Sequence, residues 1–339
     1  MSDRVLKDRN DRRVTAADVA NSAGVSRATV GYVLNNTPGT RISPETRRRV
    51  LDEATRLGYR PSTAAQALAR GRSKIVLVVL PDWPLEITLR TQLDEAARVL
   101  DEAGYAVIVH TDHGSEHAQP LWKLVEPEVV VGLVPFTPAQ VRSIRAAGIS
   151  RITPDPELSP DIGAIPAVVA GAQLQVRHLA SLGHQALAFA SPADPRLADL
   201  AAVRRTAAER EAAALGVEVR DARAVDHRDD ALPSVLHAWL SAGITGVVAF
   251  NDDVAGTIAG TAVRANISVP EDLAVVGHDN TPMASYFVPT LSSVGIDSVG
   301  FGRWMAQQAL NLAEGRPGTD ELPAPTAFLI ERESTSPAR

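Results

Sequence analysis

The sequence contains no cysteine, so disulfides and thiolate-bound metal sites are excluded. No apolar run reaches the roughly 18–20 residues that a membrane-spanning helix needs, and the charged N-terminus MSDRVLKDRNDRR has no signal-peptide core. The spellings of a nucleophile elbow (G-x-S-x-G), a Walker phosphate loop and a dinucleotide-binding loop (G-x-G-x-x-G) are also missing. We therefore expect a cytoplasmic protein that is not an enzyme and holds no cofactor or metal.

The charge of the chain is distributed unevenly. With 339 residues, 45% of them hydrophobic, the chain is long enough for two or three folding units with buried cores. Its net charge is −6, yet residues 1–74 contain 15 Lys and Arg against 7 Asp and Glu, and the rest contains 19 against 33. A basic head on an acidic body is typical of a phosphate-binding module. The alternative is a solvated basic tail, but the head carries helix patterns that such a tail lacks.

Capping and turn residues in the head predict two short helices. Thr15, followed by Asp18 at the third helical position, predicts a capping-box start. Gly24 suits a left-handed turn, and Ser26 can cap a second helix, RATVGYVLNN. Two short helices joined by a glycine turn predict a helix-turn-helix whose second helix enters the major groove of DNA.

The second and third predicted helices each have a distinct apolar face. On the second helix the inner stripe consists of Val30, Val33 and Leu34, and the outer side carries Arg27, Ala28, Gly31 and Tyr32. A third helix is predicted to start at Ser43-Pro44-Glu45, which supplies a cap, a proline at the first position and an acidic residue.

The remaining chain alternates short apolar runs with amphipathic stretches. Strands are predicted at 75–81, 105–112, 128–136, 185–192, 244–252 and 273–279, and helices at 86–103, 138–147, 170–182, 198–215, 231–242 and 253–265. Continuous Val, Ile and Leu runs separated by helices indicate buried parallel sheets covered on both faces. The number of strands suits two doubly wound lobes, whose ligands bind beyond the carboxyl ends of the strands.

At this point the sequence resembles a known family. The stretch VTAADVANSAGVSRATVGYVLNN…ISPETRRRVLDEATRLGYRPSTAAQALARGRS is similar to the DNA-binding head of the lactose-repressor/galactose-repressor (LacI/GalR) family. In the body, HLASLGHQALAFASP, NDDVAGTIAGTAVRANISVPEDLAVVGHDN…PTLSSV and AFLIERESTSP are similar to the same family. The resemblance implies an all-α helix-turn-helix head and an α/β, two-lobed, periplasmic-binding-protein-like body with two doubly wound parallel sheets.

The resemblance also implies a division of the chain. We expect a disordered basic tail, a helix-turn-helix domain, a hinge helix or linker, and an effector-binding and dimerisation domain, at 1–13, 14–60, 61–73 and 74–339 respectively. Within the body, lobe 1 is expected at about 74–165 and 293–325, and lobe 2 at about 166–290 and 326–333. Three crossings between the lobes are implied, near 163–168, 289–296 and 325–330.

The family's DNA contacts carry over to named positions. The resemblance implies that Arg27, Ala28 and Tyr32 face base edges, and that phosphates are contacted by Thr15, Ser26, Thr29 and Asn35. The family most often has Ser-Arg where this chain has Gly31-Tyr32, so the preferred operator base should differ there, because arginine can fork onto guanine and tyrosine cannot. An alternative role for Tyr32 is packing.

The segment RPSTAAQALARG is too short for a helix that is stable alone in water. The resemblance implies a hinge helix that orders when two copies meet in the minor groove, with Ala65 on its contact face and Leu68 wedged into a base step. The alternative is an ordinary alanine-rich linker.

The resemblance places Arg204, Asn251 and Asp279 in the cleft between the lobes as effector ligands. Their chemistry fits a polyol, since arginine donates, aspartate accepts and asparagine does both. Each residue has an alternative: a surface arginine, a helix cap and a brace at the lobe crossing, respectively. Pro166-Ala167 stands where the family usually has Asp-Asn, so the effector cannot be transferred, and a carbohydrate is only one candidate.

These observations favour a transcriptional regulator that acts as a repressor, as the resemblance implies, over two other classes of protein. A transporter's solute-binding protein shares the two-lobed fold but needs an export signal and lacks a basic head, and an α/β enzyme needs a nucleophile or phosphate loop. The HxxEH spelling at 113–117 is interpreted as a polar loop, because it contains glycine and follows a strand. The expected partners are near-palindromic double-stranded operator DNA, a small-molecule effector that induces or corepresses, and a second copy in a homodimer rather than a tetramer.

Overall fold

The structure, a computed structural model, describes residues 14–35, 37, 39–59, 73–114, 117, 119–154, 166–316 and 327–338. By its internal contacts the chain divides into two compact units, Met1–Lys74 and Ile75–Arg339. We call the first unit the head and the second the body.

The described part of the head contains three helices: α1 (Ala16–Ala23), α2 (Arg27–Leu34) and α3 (Pro44–Arg56). Their inner faces form one small core, whose fully buried members include Val19, Val30 and Val50, one from each helix. The burial of one valine from each helix fixes how the three helices pack, because none is long enough to be stable alone.

The helix ends of the head confirm the sequence prediction. Thr15 and Asp18 form a reciprocal capping box at the start of α1, and Gly24 ends that helix with a φ of 63°. The Ser26 side chain accepts a hydrogen bond from the amide of Thr29 at the start of α2. Ser43 does the same for Thr46 at α3, with proline at the first helical turn. Each cap satisfies a backbone donor that the helix itself leaves unpaired.

The body alternates strands and helices, and each of the six strands predicted from the sequence has a counterpart in it. Its strands are β1 (Ile75–Pro81), β2 (Ala106–Asp112), β3 (Val129–Gly132), β4 (Ile152–Thr153), β5 (Ala186–Pro192), β6 (Glu218–Val225), β7 (Gly246–Ala249), β8 (Ala274–His278), β9 (Ser292–Ile296) and β10 (Ala327–Ile330). Its α-helices are α4 (Ile87–Glu102), α5 (Leu121–Val125), α6 (Pro138–Ala146), α7 (Pro166–Ser181), α8 (Ala198–Ala214), α9 (Leu232–Ser241), α10 (Asp252–Arg264) and α11 (Ser298–Ala313).

The strands form two sheets, as predicted. The first has the order β2-β1-β3-β4 and the second β10-β9-β8-β7-β5-β6. Every neighbouring pair is parallel except β9 with β10. We call the half built on the first sheet lobe 1 and the half built on the second sheet lobe 2.

Both faces of each sheet are buried. In β1, Val76 and Val78 pack with α4 and α11 on one face, whereas Leu77 and Val79 pack with α5 and α6 on the other. Successive side chains of a strand point to opposite faces, so a strand buried on both faces must be apolar throughout. The run IVLVVLP in β1 is therefore the sequence signature of its position in the sheet.

One expected lobe boundary needs correction. We expected lobe 1 to resume at about residue 293, but residues 292–296 form β9, which pairs with β8 in the second sheet. The return to lobe 1 follows Ile296, and α11 then packs against α4. Gly302 lets these two helices approach closely, since a Cβ there would lie 2.4 Å from the carbonyl oxygen of Gln92.

Candidate functional site

Helix α2 of the head presents a polar face away from the core. Val30 and Val33 are buried on its inner side, whereas Arg27 and Ala28 are exposed. The Tyr32 side chain is 45% exposed, which does not favour the alternative that it is a packing residue. The three residues expected to meet base edges therefore share the accessible side of one short helix.

The residues expected at phosphates already serve the helix ends. The hydroxyl of Thr15 donates to Oδ2 of Asp18 over 2.7 Å, and the hydroxyls of Ser26 and Thr29 lie 2.9 Å apart. Because only one hydrogen of that second pair is used between them, the other can reach a phosphate oxygen. The Oδ1 of Asn35, at the end of α2, is buried without a hydrogen-bond partner among the described residues.

Ala65 and Leu68, which the sequence places in a minor-groove hinge, lie outside the described residues. Their roles stay predictions.

A cavity of about 140 Å³ lies in the cleft between the two lobes of the body. Lobe 1 supplies Trp83, Glu86 and Leu133 to its walls, and lobe 2 supplies Arg204 and Asp279 among others. The loops that reach it follow the carboxyl ends of β1, β3, β7 and β8, where parallel sheets bind their ligands. The walls are mostly apolar, with a few convergent polar groups, as is typical of small-molecule sites.

Arg204 extends from α8 into this cavity and is only 9% exposed, so it is not the surface arginine of the alternative interpretation. Its Nη1 donates to the carbonyl oxygen of Phe250 over 2.9 Å. The guanidinium carbon lies 4.6 Å from the centre of the Phe250 ring, a cation–π contact. Within the described residues, Nε of Arg204 has no hydrogen-bond partner. An acceptor atom on a ligand would satisfy this donor.

Asn251 has the helix-cap role that was considered as the alternative, and its amide group also faces the cleft. Its Oδ1 accepts from the amide of Val254 over 3.0 Å and so caps α10. Its Nδ2 donates to Oε1 of Glu86 over 3.1 Å. Glu86 stands immediately before α4 of lobe 1, so this hydrogen bond crosses the cleft.

Asp279 lies directly after β8, with a φ of 89° that few non-glycine residues adopt. Its amide donates to the carbonyl oxygen of Val294 over 2.7 Å, which braces β8 against β9. Its Oδ1 lies 2.8 Å from Nδ1 of the buried His278. Because an ionised carboxylate only accepts, the neutral ring carries its proton on Nδ1. Asp279 thus braces the strands through its backbone and lines the cavity with its side chain.

Two carboxyl groups meet in the cleft, and their titration differs. Burial raises the pKa of Glu86 to about 7, and the carboxylates of Asp279 and Asp253 act in the same direction. Burial would also raise the pKa of Asp279, but His278, Arg204 and a hydrogen bond from Glu86 outweigh it, so the net shift is downward. Like charges in a poorly solvated site disfavour double ionisation. Glu86 is therefore the member that holds the proton, and Asp279 is the carboxylate.

The turn that carries Asp279 is fixed by Asp252, a buried carboxylate at the start of the preceding helix α10. Oδ2 of Asp252 accepts from the amide of Thr281 over 2.6 Å and from its hydroxyl over 3.0 Å. Oδ1 of Asp252 accepts from the Ser293 hydroxyl over 2.6 Å. Burial raises the pKa of Asp252 to about 6 in spite of these bonds. Asp252 thus holds a strained turn in place.

The structure brings together all three predicted cleft residues and adds Glu86 and Asp252, which sequence reasoning missed. The position of Glu86 beyond the end of β1 was a usable signal, because ligands bind at strand carboxyl ends. Asp252 had no comparable signal, since its partners lie 29 and 41 residues away along the chain.

Among the described residues, no three His, Asp or Glu side chains form a group that could hold a metal ion. His113, from the set-aside HxxEH spelling, instead lies 2.9 Å from Asp82 through its Nδ1. No helix in the described ranges combines the length and apolarity that crossing a membrane requires.

Comparison with known proteins supports both units. Residues 15–62 match the family model described as bacterial regulatory proteins, lacI family, and residues 176–335 match a periplasmic binding protein-like domain. The chain is similar to the HTH-type transcriptional regulator DegA of Bacillus subtilis, with 28% identity over 96% of this chain and 99% of that one. It is also similar to the HTH-type transcriptional regulator GntR of Pseudomonas aeruginosa, with 29% identity over 97% of this chain and 98% of that one.

Among solved structures, the fold is similar to that of the Lac repressor dimer bound to operator and the anti-inducer ONPF. The TM-score is 0.72 with 23% identity, over 96% of this chain and 100% of that one. At this identity the likeness shows the fold. Taken together, the matched head and body, the relatives that span nearly the whole chain and the shared fold show that this protein belongs to the LacI/GalR family of transcriptional regulators.

Proposed function

We propose that this protein is a cytoplasmic repressor that binds a near-palindromic operator as a homodimer and changes its operator affinity when a small molecule occupies the cleft of the body. The observation that carries the proposal is the exposed side of α2. Arg27, Ala28 and Tyr32 are accessible there, while the opposite side of the helix forms the core. A helix of this kind is suited to place a few side chains against base edges.

Regulation by a ligand rests on the cleft. Arg204 has a donor, Nε, without a partner among the described residues, Asp279 offers a carboxylate, and Glu86 reaches across from lobe 1. A ligand held by both lobes stabilises one arrangement of the lobes over others, and operator affinity shifts if the head binds DNA differently in those arrangements. The sign of the shift can be either, so the ligand is an inducer or a corepressor.

The proposal predicts a selectable operator. Selection of bound sequences from a random duplex library, followed by footprinting on genomic DNA, should yield a two-fold symmetric site. Arg27→Ala should lower affinity for that site by about 1–3 kcal/mol and relax the base preference at one symmetric pair of positions. Arg142→Ala removes the same charge from an exposed position of the body and serves as the control. Absence of any enriched symmetric sequence would contradict the proposal.

A further inference from the structure

Among the described residues that line the cavity, two are acidic, Glu86 and Asp279, and one is cationic, Arg204. Resting on the proposed function of this cleft, we propose that the effector is a small ring compound with a protonated amine next to a hydroxyl group. The ammonium binds between Glu86 and Asp279, and the adjacent oxygen accepts from Arg204. Amino sugars and aminocyclitols are the chemical class that this arrangement fits.

Two acidic residues line the cavity, and a third lies near them. The side chain of Asp279 is only 8% exposed and lines the cavity. Glu86 lines the same cavity from lobe 1, and the charges of Asp279 and Asp253 both disfavour its ionisation. A neutral polyol would leave the two facing carboxyl groups to share a proton. An ammonium group supplies three donors and a positive charge, which removes their repulsion.

The cation present does not neutralise these acids directly. Within the part of the chain that the structure describes, Arg204 makes no ion pair within 4.0 Å with Glu86 or Asp279. Its Nη1 donates to the carbonyl oxygen of Phe250, and its guanidinium group lies over the Phe250 ring. The neighbouring His278 is kept neutral by burial, which lowers its pKa, and the charge of Arg204 acts in the same direction. Within the described residues, neither Glu86 nor Asp279 therefore has a cation in direct contact.

Arg204 supplies the second, independent indication of a ligand. The side chain is nine-tenths buried and lines the cavity, and its Nε has no partner in the described part of the chain. A buried donor without an acceptor destabilises the protein, and a bound oxygen atom would remove that cost. Since Arg204 and the acids line one cavity, the ligand needs an acceptor close to its cationic donor.

The other walls fit the body of a ring. Trp83, Phe250 and Phe301 line the cavity together with aliphatic side chains. Aromatic faces pack well against the C–H groups of a saturated ring, and they also favour a nearby cation. A flexible linear amine would use these walls less well, because it must lose more conformational freedom on binding.

Matched probe pairs test the inference. Binding of D-glucosamine against D-glucose, and of D-galactosamine against D-galactose, is measured by calorimetry and thermal shift on the full-length protein. We expect at least one aminated member to bind about tenfold or more tighter than its neutral partner, which corresponds to about 1.4 kcal/mol. Equal or tighter binding of the neutral members, or no binding of either aminated sugar up to millimolar concentration, would overturn the inference.

Two variants locate the effect. Glu86→Gln should remove most of the preference for the aminated sugar, and Glu271→Gln, at an exposed site, should keep it. A preference that survives Glu86→Gln in folded protein would overturn the assignment to Glu86. If this variant does not fold, the comparison within each wild-type pair still decides the ligand class.

Operator binding, measured by fluorescence anisotropy with and without each sugar, separates this inference from the proposed function. An aminated sugar that binds without changing operator affinity would support the ligand class but contradict ligand control. A neutral sugar that binds more tightly and changes operator affinity would support ligand control but overturn the ligand class.

Discussion

The side-chain amide of Asn251 donates a hydrogen bond to Oε1 of Glu86 over 3.1 Å, and this bond joins the two lobes at the polar end of the cleft. Asn251 is held by its own role as the cap of α10. The backbone of Glu86 is fixed because this residue directly precedes α4. Because each residue starts a helix of a different lobe, a ligand that alters the contact also alters how the lobes meet.

The pKa of Glu86 predicts a pH-dependent stability of the body. Since this pKa is raised from 4.5 to about 7, the folded protein keeps a proton there that the unfolded chain has released between those pH values. The stabilising contribution is present below the unfolded pKa and is lost as pH rises through about 7. The groups that face Glu86 are Asp279, Asp253 and Arg204.

Urea unfolding from pH 5 to 8 should show Glu86→Gln gaining stability relative to wild type as pH rises. Since Asp252 also has a raised pKa, the difference between the two proteins is the quantity to follow. A difference that does not vary with pH would contradict the assignment.

Asp279→Asn should weaken the response to the effector and leave operator binding by ligand-free protein largely intact. Asparagine tolerates the left-handed backbone at this position, so the substitution removes the charge with little backbone strain. Anisotropy titrations with operator, with and without ligand, measure both quantities. Unfolding of the body by Asp279→Asn would show that structural bracing dominates.

Asp252→Asn should destabilise the body by about 1–3 kcal/mol, because an amide cannot reproduce all three bonds that the carboxylate accepts. The neighbouring Asp253→Asn is the matched control, since Asp253 is exposed. Chemical denaturation gives both values. Equal stabilities of the two variants would show that the turn after β8 does not depend on Asp252.

Tyr32→Arg should move the selected operator toward guanine at one symmetric pair of positions. Arginine can donate to both O6 and N7 of guanine, whereas the tyrosine hydroxyl makes a single contact. The selection experiment repeated with this variant provides the measurement. An unchanged consensus would mean that Tyr32 does not face the bases.

The proposed homodimer predicts an effect at an exposed apolar segment of lobe 2. Met283, Tyr286 and Val288 are 51%, 73% and 86% exposed. Burial of such side chains against a second copy would stabilise a dimer. Val288→Asp should shift the protein toward monomers in analytical ultracentrifugation and weaken operator binding, because two linked heads bind a symmetric site more tightly than one. Leu215→Asp, also at an exposed apolar residue of lobe 2, should leave both unchanged. Dimers that survive Val288→Asp would place the interface elsewhere.

The sequence by itself determined the elements with strong local signals. Thr15, Gly24 and Ser26 marked the helix ends of the head, since capping is decided within four residues. The apolar runs of β1 and β5 marked strands buried on both faces. The strand β6 was missed because it is a sheet edge, where exposed polar residues alternate with partly buried ones. The strand β9 was placed at a lobe crossing because its two serines make the segment look polar, although they are buried.

The tertiary structure alone decided what the cleft can do. The resemblance named Arg204, Asn251 and Asp279. It did not show which of them is buried, which caps a helix and which has a strained backbone. Glu86 meets Asn251 from 165 residues away, and Asp252 meets Ser293 from 41. A local pattern cannot report such distances, because hydrogen bonding and desolvation depend on what the folded chain brings alongside a group. The charge balance of the cleft, and with it the chemistry of its ligand, is therefore a property of the fold.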